Sequence, residues 1–232
     1  MQSEDRPIHF STELVFDKRE FDKAELQQLY FDLTQSPDVD YDNSQFGQVP
    51  LARFYTQRGE KSQSMMVILP DRFGVLEEWV DIPLSEFIDK ATAVSAKMME
   101  QFGIDEYRAQ TVLMRTTFGL SHFDDSRKFI FDQLCAQKGK IMSFFQRPVS
   151  SGSLRFVLPA TPQHDGTFHI SIEPYKESPR ELYVEVRAIF AAQHTSLLNE
   201  GDLENNIRLT REFINENIFP FLDQYDTAQP VE

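Results

Sequence analysis

The stretch from Thr167 to Phe190 constrains the fold more than any other part of the chain. Phe168, Ile170 and Ile172 alternate with His169, Ser171 and Glu173. After a polar turn, Leu182, Val184, Val186 and Ala188 alternate with Tyr183, Glu185 and Arg187. Successive side chains of a strand point to opposite faces, so each run is a strand with one apolar and one polar face. Arg155 joins the polar row from the preceding run, where it is out of phase with Leu154, Phe156 and Leu158. If helices cover the apolar rows, then Arg155, His169, Ser171, Glu173, Tyr183, Glu185 and Arg187 lie on an open sheet face. Such a face is either simply solvated or holds contact residues for a partner, and Tyr and Arg are common at binding hot spots.

The helices are present in the pattern. Asp22 followed by Glu25 has capping-box spacing, ahead of the stripe Leu26, Leu29, Tyr30 and Leu33. Leu84, Phe87, Ile88, Ala91, Val94, Met98 and Phe102 keep helical spacing until Gly103 supplies a stop. Asp124 and Asp125 precede a helix through Phe129 and Leu134. A last helix spans about Asp202 to Leu222, with Pro220 expected to disturb its end. Strands are expected at Ile8–Phe16, "LARFYTQ", "SMMVILP", "GVLEEWV", "AQTVLMRTTFGL", "SFFQRPV", "LRFVLPA", "TFHISIE" and "ELYVEVRAIF". Asp165-Gly166 is a hairpin signal. "DVDYDNS" lacks the Gly and terminal Glu of a calcium loop and reads as a flexible acidic loop.

The order of elements repeats. "FDKREFDK" at 16–23 matches "FGLSHFDD" at 118–125, Arg53-Phe54 matches Arg155-Phe156, and "VILPD" matches "ISIEP". "SQFGQVP" resembles "SFFQRPV" in the same order. These matches predict an α+β fold of two β-α-β(3-4)-α units, residues 1–107 and 108–232. The units would form one long antiparallel sheet with helices on one face. That element order resembles the TATA-binding-protein fold; two separate ferredoxin-like domains are the alternative. A second resemblance rests on "VILPDRFGVLEEW" and the long helix and strand after it. Pro70, Asp71, Arg72, Gly103, Ile104 and Arg115 are similar to the pattern of a sporadically distributed family of uncharacterised bacterial proteins. Thr116 and Thr117 stand where that pattern has an aromatic-Asn pair. The resemblance implies a bacterial origin and no particular activity.

Composition narrows the function classes. Acidic residues outnumber basic ones 37 to 23, for a net charge of −14. Such a chain repels nucleic-acid backbones and anionic lipid, so neither is an expected partner. The one cysteine, Cys135, excludes an intramolecular disulfide and reads as a buried thiol. No apolar run reaches the length of a membrane span, and "MQSEDRPIHF" has no signal-peptide core, so a cytoplasmic location is expected.

Catalytic signatures are weak. His9, His122, His164, His169 and His194 show no ligand spacing, and no metal or cofactor is expected. His169, Ser171 and Glu173 share a face, but i and i+2 positions are about 7 Å apart, too far for a relay within one strand. In "SMMVILP", Met65, Val67 and Leu69 make the second face apolar too, so a loop or another subunit is expected to cover it. The reading is therefore a non-enzymatic bacterial binding or regulatory protein. It would present an open sheet face to a protein or small ligand, and a homo-oligomer is compatible with it. The alternatives are an acidic inhibitor or antitoxin-like protein that blocks a basic partner, and an enzyme with a site between the repeats.

Overall fold

A computed structural model describes residues 5–136, 140–147, 149–191 and 200–227. Nine strands form one antiparallel sheet in the order β2-β3-β4-β5-β1-β6-β9-β8-β7. The strands are β1 (Arg6–Val15), β2 (Asn43–Phe46), β3 (Ala52–Gln57), β4 (Gln63–Leu69), β5 (Arg72–Glu78), β6 (Ala109–Gly119), β7 (Leu154–Leu158), β8 (Gly166–Pro174) and β9 (Glu181–Ala191). β1 and β6 pair at the centre. From β1 the sheet runs outward through β5, β4 and β3, and from β6 through β9, β8 and β7. Among the described residues, β2 adds a further strand on the first side and none is added on the second.

Alternation in the sequence becomes a two-faced sheet. Phe10, Leu14, Met66, Ile68, Phe73, Val75, Val112, Met114, Phe168, Ile170, Ile172, Val184 and Val186 are all buried. They meet three main helices, α1 (Lys23–Thr34), α2 (Leu84–Phe102) and the C-terminal helix. Phe87 of α2 packs its ring 5.7 Å from that of Phe10, centre to centre. α2 also packs against α1 and the C-terminal helix.

The helix ends follow local chemistry. The Asp22 carboxylate accepts from the Ala24 amide, and Glu25 accepts from the Asp22 amide, completing the capping box. Gly103 takes φ 58° at the end of α2, a left-handed conformation that glycine adopts without a Cβ clash. Asp125 caps α3 (Ser126–Lys128), which widens into a π-helical turn at Phe129–Leu134, whereas Asp124 instead pairs with Arg180.

Several expectations are corrected. "SFFQRPV" is not a strand: Lys140–Phe145 forms α4, because without a strand partner its two phenylalanines stay on a short, exposed helix. The β7–β8 hairpin forms, but its tip is closed by Thr161 and His164, and Gly166 is already the first residue of β8. Pro220 does not end the last helix. α5 (Glu200–Phe213) widens into a π-helical turn at Ile214–Ile218, and Pro220 enters the first turn of α6 (Phe219–Tyr225), where its missing N–H costs least. Cys135 is half-buried, not buried. "DVDYDNS" is anchored by buried Val39 and Tyr41, and its last residues begin β2. His194 lies outside the described residues.

Candidate functional site on the open face

The polar row lies where its period places it. His169 and Arg187 are exposed, and Ser171, Glu173, Tyr183 and Glu185 are half-buried, all opposite the helix-facing row. Register aligns them as direct pairs: His169 with Arg187, Ser171 with Glu185, Glu173 with Tyr183. Arg155 sits opposite Ser171 on the next strand. Side chains directly opposite in an antiparallel pair share a face and stand about 5 Å apart. All seven residues therefore form one surface.

Following the register inward extends this surface across both halves. One rung runs Gln63, Glu78, His9, Arg115, Glu185, Ser171, Arg155. The next runs Tyr55, Met65, Leu76, Ser11, Leu113, Arg187, His169, Val157. Along this second rung the first side carries Tyr55, Met65 and Leu76 where the second carries Arg187 and His169. Met65, Val67 and Leu69 are half-buried there.

The charged side is wired together at the junction of β5, β1, β6 and β9. Glu78 Oε2 is 2.8 Å from His9 Nδ1, and His9 Nε2 is 2.9 Å from Ser11 Oγ. A carboxylate only accepts, so Nδ1 carries the proton and Nε2 accepts from the Ser11 hydroxyl. Burial pushes the His9 pKa down, against the raising effect of Glu78, which favours this neutral ring. Arg115 Nε donates to Glu185 Oε2 at 2.9 Å, and Tyr183 OH donates to the same oxygen at 3.3 Å. Burial works most strongly against the Arg115 charge, but the Glu185 hydrogen bond and the nearby Tyr183, Glu185 and Glu78 charges together outweigh it and raise the Arg115 pKa. Burial first, and then the carboxylates, raise the Tyr183 pKa, so the phenol stays protonated.

The sequence signal for this network was present but unpaired. His9 and Glu78 are 69 residues apart, and only the β1–β5 register joins them. The objection from i, i+2 spacing holds for His169 and Ser171, which no hydrogen bond joins among the described residues. It does not hold for His9 and Ser11, because the imidazole leans along the strand and spans the gap.

This face differs in charge from the molecule as a whole. The nine strands contain six arginines, Arg6, Arg53, Arg72, Arg115, Arg155 and Arg187, and no lysine. Register places all six on the open face, against five glutamates, Glu13, Glu78, Glu173, Glu181 and Glu185. The face is close to neutral in a chain of net charge −14. Arginine, tyrosine and methionine are enriched and lysine is depleted at protein interfaces.

One end of the face is sheltered. Lys61, on the β3–β4 tip, lies 3.3 Å from Glu177 on the β8–β9 tip. Five strand spacings of about 4.8 Å separate β4 from β8, so a flat sheet would hold these tips about 24 Å apart. Their contact shows that the sheet curls. Tyr175 stacks on Tyr183 with planes 6° apart, and Arg6 lies 5.5 Å over the Tyr175 ring. Trp79, at φ 50°, turns out of β5 and meets the Lys61 ammonium 4.4 Å from its ring. Beneath these groups His9 and Thr117 are 5% and 0% exposed, although both lie on the face away from the helices.

A second constellation lies on the helix side, and no sequence pattern pointed to it. Lys90 donates to Asp40 at 2.6 Å, to Glu77 at 2.7 Å and to Ser64 at 2.9 Å. Arg58 bonds Glu77, Asp40 and Asp81. Burial opposes the Asp40 charge, but Lys90 and Arg58 together hold its pKa below the usual carboxylate range. A cleft of about 320 Å³ opens beside this group, lined by Asp38, Asp40, Arg58, Glu86, Asp89 and Lys90. All three Lys90 N–H donors are used, so this ammonium is held as a structural cation. Among the described residues, no group of three or more His, Cys, Asp or Glu is arranged to hold a metal. No helix of the described residues is long and apolar enough to cross a membrane.

No family model matches the chain, and no curated protein matches it. Among solved structures it is similar to the aspartate kinase of Clostridium acetobutylicum, at 9% identity and a TM-score of 0.25. The match covers 93% of this chain and 34% of that one. A likeness of that size carries no argument about fold or function.

Proposed function

We propose that the chain is a non-enzymatic bacterial binding or regulatory protein, and that the open face of its sheet holds a protein or small ligand. The observation that carries this reading is the placement of all six strand arginines on one nearly neutral face. Arg187, His169 and Arg155 would make the outer contacts, and Tyr183, Glu185, Ser171 and Glu173 the inner ones. Met65, Leu76 and Leu113 would bury the apolar part of the partner. We further propose that the sheet is an internal duplication, with the halves 1–107 and 108–232. It is supported by the matched outward orders β1-β5-β4-β3 and β6-β9-β8-β7, which also support the likeness to the TATA-binding-protein saddle.

The test is capture of partners from a bacterial lysate by the wild type and by Arg187→Ala, with circular dichroism to establish that both fold. A partner retained by the wild type and lost by the variant supports the reading. Identical capture by both, together with no ligand that raises the melting temperature, overturns it. A partner held at low salt and released at high salt, but indifferent to Arg187, favours the acidic-inhibitor alternative.

One observation favours the enzyme alternative, with a site between the halves. Ser11, His9 and Glu78 form a hydrogen-bonded chain, and His9 is neutral, as a general base must be. Arg115, from the other half, is the cation directly across from His9. A fluorophosphonate probe tests it: labelling that disappears in Ser11→Ala supports a nucleophile, and absence of labelling assigns the chain to structure.

A further inference from the structure

The two ends of the sheet are built differently. The first side ends in β2, four residues with polar Asn43, Ser44 and Gln45. The second ends in β7, which carries Phe156, Val157 and Leu158 at 41%, 59% and 42% exposure. Phe156 and Leu158 belong to the helix-facing row, and Val157 to the open row. β7 thus exposes apolar side chains on both faces, with Arg155 beside Val157 on the open face and Phe156 meeting the Phe221 ring edge-on at 6.5 Å on the other. Among the described residues its only strand neighbour is β8, so its outer row of N–H and C=O groups is unpaired. The segment that corresponds in order to β2 forms α4 instead, so among the described residues no strand lies on the outer side of β7.

Charge identifies what fits there. From Gln133 to His164 the sequence has no Asp or Glu, and has Lys138, Lys140, Arg147 and Arg155. This is the region leading into and through β7, in a chain whose acids outnumber its bases 37 to 23. A second copy would bring the same basic segment against this one, so like charges disfavour β7-to-β7 pairing.

We propose that the outer edge of β7 is a docking site for an extended segment of another protein in which acidic residues alternate with apolar ones. The segment adds to the sheet as a tenth strand. Its backbone pairs with the free groups of β7, its apolar residues cover Phe156 and Leu158, and its acidic residues reach Arg155 on the open face. Alternation is required because the two rows of β7 differ: the open row holds the charged Arg155 with Val157, and the other row holds Leu154, Phe156 and Leu158.

The test uses synthetic peptides of about nine residues, long enough to span the strand. They alternate Val or Leu with Glu, Gln or Lys, and binding is read by fluorescence anisotropy. The Glu series should bind at least about ten-fold more tightly than the Lys series, and should weaken as salt is raised. Arg155→Glu, a change at an exposed position, should reverse that order. Methylating alternate peptide nitrogens should abolish binding, since strand addition needs those donors. Hydrogen exchange should show protection of Leu154–Leu158 in the complex. Equal binding of all three series, an unchanged order in Arg155→Glu, or protection elsewhere would overturn the proposal. So would a dimer in sedimentation whose β7 amides are already protected without peptide, because the edge would then belong to a second copy.

Discussion

Lys90 Nζ lies 2.7 Å from Glu77 Oε1, and the two side chains are only 4% and 1% exposed. Neither charge can turn to water if the other is removed. Glu77 would keep Arg58 and Ser64, while Lys90 would keep Asp40 and Ser64. Breaking a buried pair by deleting one partner typically costs about 3–5 kcal/mol. Glu77→Leu and Lys90→Met are each expected to lose stability on that scale in urea titration. The double variant is expected to lose less than the sum, because it leaves no unmatched charge at the pair.

A pH prediction follows from His9. Its folded pKa lies below the ordinary histidine value of about 6.5, with burial as the main cause. A depressed pKa means that the unfolded chain takes up the proton first as pH falls. The stability it contributes is complete above about 6.5 and is lost as pH falls through the folded value. Denaturation midpoints are expected to drop between pH 7 and pH 5, and His9→Gln should flatten that drop. Asp40, also lowered, adds a second loss at more acidic pH, below its ordinary 3.8. A slope unchanged by His9→Gln would place the sensitivity elsewhere.

Phe87 is fully buried between α2 and β1. Phe87→Ala removes most of a ring from a packed core and is expected to cost about 3–5 kcal/mol. Unchanged thermal stability would mean that this stripe does not carry the helix.

Asp22 is the clearest local stabiliser of α1. Both halves of its capping box are made, at 2.7 and 3.1 Å. Asp22→Ala is expected to cost about 0.5–2 kcal/mol, and Asp22→Asn much less, because the amide oxygen can still accept. Chemical denaturation of the two variants separates the cap from simple charge loss.

What could be read in the sequence was whatever depends on neighbours in the chain. Alternation in β8 and β9 sets the faces of the strand residues on either side of their turn, and the 3.6-residue stripe in α2 sets its buried side. The capping box and Gly103 give helix ends because their partners are three or four residues away. The Lys90 cluster could not be read, since its members come from a loop, two strands and a helix, and Lys90 lies one position before the apolar Ala91. α4 defied expectation because its likeness to β2 concerns composition, whereas a strand needs a pairing edge. The Ser11–His9–Glu78 chain lay between the two kinds. Its i, i+2 part is local, but the orienting carboxylate is not.

The central position of β1 has a consequence for how the molecule is made. Of the nine strands β1 is made before the others, yet its two neighbours, β5 and β6, follow only after Arg72 and Ala109 have been added. Until then it has no lateral partner on either side. Hairpins β3–β4 and β4–β5 can close on their own as they emerge, and β8–β9 can do so later. The first and last of these units can become one body only when β1 is gripped from both sides. Synthesis therefore stores the keystone of the sheet before the arch exists, and a released chain ending near Tyr107 would hold β1 by β5 alone.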